Sequence, residues 1–183
     1  MNLENCILTY SGRYVNLLKP DPTTIHITDI AHALSQINRF GGHTRRFYSV
    51  AQHCVLASHL VPLKYRLHAL LHDAAEAYFG DMVQPLKRLD GSAQYRTWES
   101  MMQAEIFDRF GLGMEQSDEC KACIQEADLI MLATERRDLM PPDATPWAIL
   151  EGVKPRNGNI SPVSSHLAES MYLSRFKELA GVL

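Results

Sequence analysis

No apolar run in these 183 residues approaches the roughly 18 that a membrane-crossing helix needs, so no transmembrane segment is expected. Basic residues never cluster beyond a pair, as at Arg45-Arg46, Lys87-Arg88 and Arg136-Arg137, and the net charge is -3. That leaves neither a nucleic-acid footprint nor a polybasic membrane patch, and small molecules are the expected partners. The first residues, Met1-Asn2-Leu3-Glu4-Asn5, are acidic where a secretion signal is basic, which points to the cytoplasm. Cysteine is scarce: Cys6, Cys54, Cys120 and Cys123 form no secreted-type framework. Cys120-Lys-Ala-Cys123 has zinc-like spacing but no second pair of ligands, so it reads as small residues on a helix face. Repeats, low-complexity tracts and linkers are absent as well. With 46% hydrophobic residues, the chain is expected to form one domain over 1–183.

What is present is mostly helical periodicity. Residues 7–15 alternate in places around a Ser11-Gly12 turn signal and predict a short hairpin, closed by Pro20 and Pro22. Thr28 is placed to cap a helix whose Ile30, Leu34 and Ile37 recur at helical spacing and which Gly41-Gly42 ends. Ser49 with Gln52 has capping-box form, so a helix is expected from Val50 toward Leu60, with His53 in its first two turns. A further helix is expected over 65–79, stopped by Gly80, and others near 94–110, 118–139 and 164–179. Pro141-Pro142 and residues 154–162 read as loops. The expected fold is mainly α with a small N-terminal β-hairpin.

The chemistry concentrates in Leu70-Leu71-His72-Asp73-Ala74-Ala75-Glu76. On a regular helix His72, Glu76 and Asp73 lie at about 0°, 40° and 100°, within one quadrant. Such a polar cluster among leucines and alanines is costly to bury unless a cation offsets it. Two residues elsewhere can complete a metal site: His53, and Asp128 on an apolar stripe with Ile124, Ala127, Met131 and Leu132. Spacing leaves His59 and His68 open as rival imidazoles. Glu135, two turns after Asp128, is spaced to face the same cavity, but its Glu-Arg-rich stretch reads as a solvated face and it stays outside the catalytic set.

Tyr48-Ser49-Val50-Ala51-Gln52-His53, then Leu71-His72-Asp73-Ala74-Ala75-Glu76-Ala77-Tyr78 with Gly80-Asp81 and Pro85-Leu86-Lys87, then Glu126-Ala127-Asp128, resembles the HD-domain phosphohydrolases. Within them it is similar to the small bacterial, prophage and phage 5'-deoxynucleotidases, over roughly residues 25–140. The resemblance implies an HD-type helical bundle in which His53, His72, Asp73 and Asp128 ligate one divalent ion, whether cobalt, manganese, zinc, iron or magnesium. It implies that Glu76 orients the attacking water, takes its proton or passes a proton to the leaving ribose oxygen, and that Asp81 contacts the sugar near its 3'-hydroxyl and disfavours a 2'-hydroxyl. Asn38-Arg39-Phe40 resembles a step in which the arginine meets phosphate and the aromatic ring lies near the base. Arg45, Arg46 and Lys87 are further phosphate candidates, arginine being suited to it by its planar fork. A dimer is the oligomer the resemblance favours. Only 18 residues separate His53 from His72, fewer than is usual in the deoxynucleotidases, so the connection must be short.

The expected activity is therefore hydrolysis of 2'-deoxynucleoside 5'-monophosphates by a metal-activated water. A deoxynucleoside triphosphate triphosphohydrolase would use the same ligands and differ in how many basic groups line the mouth. A non-catalytic nucleotide sensor or partner-binding module would dispense with the water-positioning carboxylate, which Glu76 supplies. Cyclic dinucleotide or alarmone hydrolysis would call for extra ligands or appended domains that the sequence does not contain.

Overall fold

The computed structural model describes residues 3–181, so Met1 and Asn2 of the acidic N-terminal stretch lie outside the described residues. The architecture is mainly α, with a two-stranded antiparallel hairpin, β1 (Cys6–Leu8) and β2 (Tyr14–Asn16), as the sheet among those residues. The register pairs Ile7 with Val15. The hairpin turn is tied to the helices by the buried Asp29, which accepts bonds from Ser11 N (2.7 Å), Ser11 Oγ (2.7 Å) and Thr9 Oγ1 (2.9 Å).

Asp29 belongs to α1 (Ile27–Gln36), whose cap is His26 and not Thr28. Thr28 lies inside the first turn, because the His26 carbonyl already accepts from Asp29 N and Ile30 N. The helix also ends at Ile37, short of Gly41-Gly42, which close a separate 3-10 turn over Arg39–Gly42. The following helix, α2 (Val50–Ala57), starts where the Ser49 signal places it: Ser49 Oγ accepts from Gln52 N. The Gln52 side chain instead reaches the 161–163 loop, donating to Ser161 O and accepting from Val163 N.

The expected single helix over 65–79 is interrupted. It is two short pieces, α3 (Arg66–Leu70) and α4 (Glu76–Phe79), with residues 71–75 in successive turns between them. Breaking a helix frees backbone groups that must find other partners when buried. Here side chains supply them: His72 Nδ1 meets Ala69 O at 2.8 Å, Tyr172 Oη donates to Leu70 O at 3.0 Å, and Gln103 Nε2 donates to Leu71 O at 2.7 Å. Gln103 Oε1 then accepts from Ala75 N at 3.0 Å, so one amide bridges both sides of the break. Helical periodicity carries no sign of this, since each compensating group comes from its own carbonyl neighbourhood or from a distant helix.

After α5 (Gln84–Lys87) come the long helices α6 (Ala93–Arg109), α7 (Asp118–Leu139) and α8 (Ser165–Ala180), close to their expected spans. Ser117 caps α7, which carries Asp118 and Glu119 in its first turn and Arg136 and Arg137 in its last, matching the helix dipole. α8 packs against α1, α2 and α3, and the main core gathers Ile30, Leu34, Val50, Cys54, Leu70, Leu71, Met102, Ile106 and Tyr172. Burying each such large apolar side chain is worth about 1.5–3 kcal/mol. This core clamps α2 and the 71–75 turn together, while Met131 and Leu139 of α7 pack with Tyr48 and Ala57 in a separate cluster. Among the described residues, no helix is long and apolar enough to cross a membrane.

Candidate metal centre

α2 delivers His53, the helix break delivers His72 and Asp73, and α7 delivers Asp128. Their ligand atoms converge: His53 Nε2 lies 3.3 Å from His72 Nε2 and 3.2 Å from Asp128 Oδ1, while His72 Nε2 lies 3.3 Å from Asp73 Oδ2. The wider pairs are His53 Nε2 to Asp73 Oδ2 at 3.7 Å and His72 Nε2 to Asp128 Oδ1 at 4.0 Å. Ligands held about 2.1 Å from a common ion sit about 3.0–3.4 Å apart in tetrahedral or octahedral geometry. The spacing here is close to that. His53, His72 and Asp128 thus form a group able to hold a metal ion.

The hydrogen bonds behind these atoms decide their chemistry. Ala69 O can only accept, so His72 Nδ1 carries the proton and His72 Nε2 presents a lone pair. His53 Nδ1 faces Glu135 Oε1 at 2.6 Å. Glu135 is fully buried, and although burial opposes its ionisation, Arg39 and His53 hold its pKa below the usual value. A carboxylate at Nδ1 orients the His53 ring so that Nε2 points into the centre. Asp128 sits at the rim with 43% of its side chain exposed, yet its Oδ1 is buried without a hydrogen-bond partner. Imidazole nitrogens and carboxylate oxygens face one another here, an arrangement that positive charge stabilises, whether a metal ion or a proton on His53. The cluster's pull on positive charge is visible at His53: burial and Arg39 work against its protonation, but Glu135 and Asp128 raise its pKa to about 10.

A second group, Cys54 with His72 and Asp73, also has its ligand atoms together. Burial first, then the charges of Asp73 and Glu76, push the Cys54 thiol well up, and a neutral thiol is a poor ligand. Cys54 also packs among the main-core residues. The rival histidines are elsewhere: His59 is exposed, and His68 stands against Phe107 with ring centroids 5.7 Å apart.

Around the ligands lies a cavity of about 490 Å³ whose lining includes Arg39, Phe40, Asp73, Glu76, Asp81, Lys87 and Asp128. Glu76 is buried, with Oε2 unpaired. Burial, then Asp73 and Asp81, raise its pKa well above the ordinary value against the pull of Lys87 and Arg39. Burial also raises Asp81, with Arg39 opposing. Lys87 Nζ lies 3.4 Å from Glu76 Oε1 and 2.9 Å from Glu99 Oε1. Arg39 is committed similarly: NH2 lies 3.1 Å from Glu135 Oε2 and 3.8 Å from Asp128 Oδ1, and NH1 3.4 Å from Asp73 Oδ2. Phe40 beside it has φ 57°, a left-handed conformation rare for a bulky residue, which turns the chain sharply at the cavity wall.

Of the residues singled out in the sequence, His53, His72, Asp73, Asp128, Glu76, Asp81, Lys87, Arg39 and Phe40 come together here. Arg45 and Arg46 do not. Arg45 is exposed, donates to Asp138 O at 2.8 Å and lines a separate cleft with Arg136 and Arg137; Arg46 is exposed and does not line the cavity. Glu135, assigned from the sequence to a solvated face, is instead the fully buried partner of His53 and Arg39. Its seven-residue offset from Asp128 put it on the same face, but the flanking arginines disguised it. Glu99 and Gln103, on α6, had no motif to announce them.

No family model matches the chain. It is 44% identical over 175 residues to the uncharacterized protein YfdR of Escherichia coli, spanning 95% of each chain. It is 36% identical over 138 residues, 70% of each chain, to the uncharacterized protein RCAP_rcc00048 of Rhodobacter capsulatus. At this identity and coverage, the chain that folds into this His-Asp centre belongs to one family with YfdR.

Proposed function

We propose that this protein is an HD-type, divalent-metal-dependent phosphohydrolase that releases phosphate from 2'-deoxynucleoside 5'-monophosphates. The observation that carries the reading is the convergence of His53, His72, Asp73 and Asp128, of which Asp73 and Asp128 line a cavity of nucleotide size that also holds a buried acid, Glu76. Cavities of about 300–1,000 Å³ are usual for small-molecule sites. A divalent ion held by those four residues would polarise a phosphoryl oxygen and lower the pKa of a water. Two imidazoles and two carboxylates suit cobalt, manganese, zinc or iron, with magnesium a poorer match for the nitrogens.

The remaining steps belong to the chain. Glu76 holds its proton to higher pH than an ordinary carboxyl, which suits it to donate to the departing ribose oxygen. Lys87, against Glu76, and Arg39, against Asp73, bring positive charge to where negative charge builds on the phosphate. Asp81, in the same wall, is available to accept from a sugar hydroxyl.

The cations favour a monophosphate over a triphosphate. Of the three arginine and lysine side chains in the cavity lining, Arg39 and Lys87 are already engaged by carboxylates, which leaves Arg88 to meet a phosphate chain. A second opening reaches His72, Asp73, Glu76 and Lys87 from the other side, but there Glu99 and Glu115 offset Lys121, a poor setting for an extended phosphate chain. The test is phosphate and triphosphate release from deoxy- and ribonucleoside mono- and triphosphates, assayed with several divalent ions. The proposal expects phosphate from deoxynucleoside monophosphates and its loss in Asp73→Ala. Failure of every deoxynucleotide, or undiminished release by Asp73→Ala, would sink it.

A further inference from the structure

The loop after α7 brings a second aromatic residue to the cavity, outside the stretch on which the phosphohydrolase resemblance rests. Trp147 lines the cavity that also holds Phe40, Asp73 and Asp128, so an aromatic end and the metal-ligand end share one space. Leu129, Leu132 and Met140 add apolar wall between them. The Phe40 and Trp147 ring centroids are 6.4 Å apart at 49°. That is too far and too tilted for a stacked pair; it leaves a flat ring able to stack on one of them and meet the other at a tilt, within the roughly 4.5–7 Å centroid range of aromatic contacts.

Both rings are held in place. Phe40 is fixed by its left-handed backbone, and the Arg39 guanidinium lies 5.7 Å from its ring. Trp147 has the Arg136 guanidinium 4.9 Å from its ring centroid, and Arg136 in turn donates to the Thr145 carbonyl of the same loop. The last turn of α7 thus pins the loop, and with it the indole, to the helix that carries Asp128.

We propose that Trp147 is a specificity-determining residue, forming with Phe40 a seat for the planar heterocycle of the substrate. This rests on the nucleotide reading of the same site and adds to it the group that recognises the base. Base–aromatic stacking is sequence-tolerant, since every base has a π-face, so the seat selects for a base without naming which.

Trp147 is its own reporter, the other tryptophan being Trp98 on α6. Metal-loaded protein is titrated with thymidine, deoxyadenosine and 2-deoxyribose, exciting tryptophan selectively, alongside Trp98→Phe, Trp147→Phe and Trp147→Leu. The seat requires an emission change with both nucleosides but not with 2-deoxyribose, kept in Trp98→Phe and lost in Trp147→Phe. It also requires that Trp147→Leu raise KM for the deoxynucleotide about 5- to 150-fold, the worth of one stacked base, with Trp147→Phe recovering most of it. Hydrolysis with no nucleoside-dependent Trp147 signal, or a KM for Trp147→Leu within twofold of wild type, would overturn the seat and leave the reaction standing. A nucleoside signal without hydrolysis of any nucleotide would support the seat and remove the reaction.

Discussion

Replacing Glu135 with Gln keeps its shape and removes its charge. In the fold, that charge faces His53 Nδ1 at 2.6 Å and Arg39 NH2 at 3.1 Å, with no exposed surface. Breaking one side of a buried ion pair costs about 3–5 kcal/mol, because the partner is left buried and uncompensated. Arg39 retains Asp73 at 3.4 Å and Asp128 at 3.8 Å, so the lower end applies. At about 3 kcal/mol, a chain of this length loses about 6–12 °C in Tm. The same change weakens the hold on the His53 tautomer, and loss of such an outer partner typically costs 10- to 100-fold in metal affinity, or about 1.4–2.8 kcal/mol. Calorimetric unfolding and manganese titration of wild type and Glu135→Gln measure both. A melting temperature within about 1 °C of wild type, together with a metal Kd within about twofold, would refute the role assigned to Glu135.

Other consequences are equally direct. Gln103→Ala removes both bonds across the helix break, to Leu71 O and Ala75 N, and should destabilise by about 1–3 kcal/mol, read from urea midpoints at unchanged m-value. Tyr172→Phe leaves the Leu70 carbonyl without its 3.0 Å partner and should cost about 1–3 kcal/mol in the same assay, with no change in metal affinity. A divalent ion at 100 times its Kd should stabilise the protein by about 2.7 kcal/mol, a rise of about 5–11 °C in Tm that a chelator reverses. Glu76→Gln, with the ligands intact, should lower the rate of phosphate release about 100-fold or more while the ion still binds.

Much of this was legible in the residues, and the exceptions have a common cause. Ser49 and Ser117 announce their helices because capping is a local bond, from a backbone amide to a hydroxyl oxygen three residues before it. His53, His72, Asp73 and Asp128 converge as a set that the resemblance implied, whereas ligand chemistry alone left His59 and His68 open. The helix over 65–79 was misread because the partners that stabilise its interruption, Gln103 and Tyr172, lie in α6 and α8. Glu135 was hidden by its neighbours: Arg136 and Arg137 point outward to loop carbonyls, while it alone turns into the core. Arg45 and Arg46 matched a phosphate-binding composition, yet Arg45 is fastened to the end of α7 through Leu139 O and Asp138 O. In each case a long-range contact overrode what composition suggested.

The direct test of the centre itself is metal stoichiometry. Wild-type protein equilibrated with excess manganese, cobalt or zinc and freed of unbound ion should retain one ion per chain, and His72→Ala and Asp128→Ala should each retain far less while keeping their helical content. Equal retention by folded variants and wild type, or no retention of any divalent ion by wild type, would contradict a centre built from His53, His72, Asp73 and Asp128.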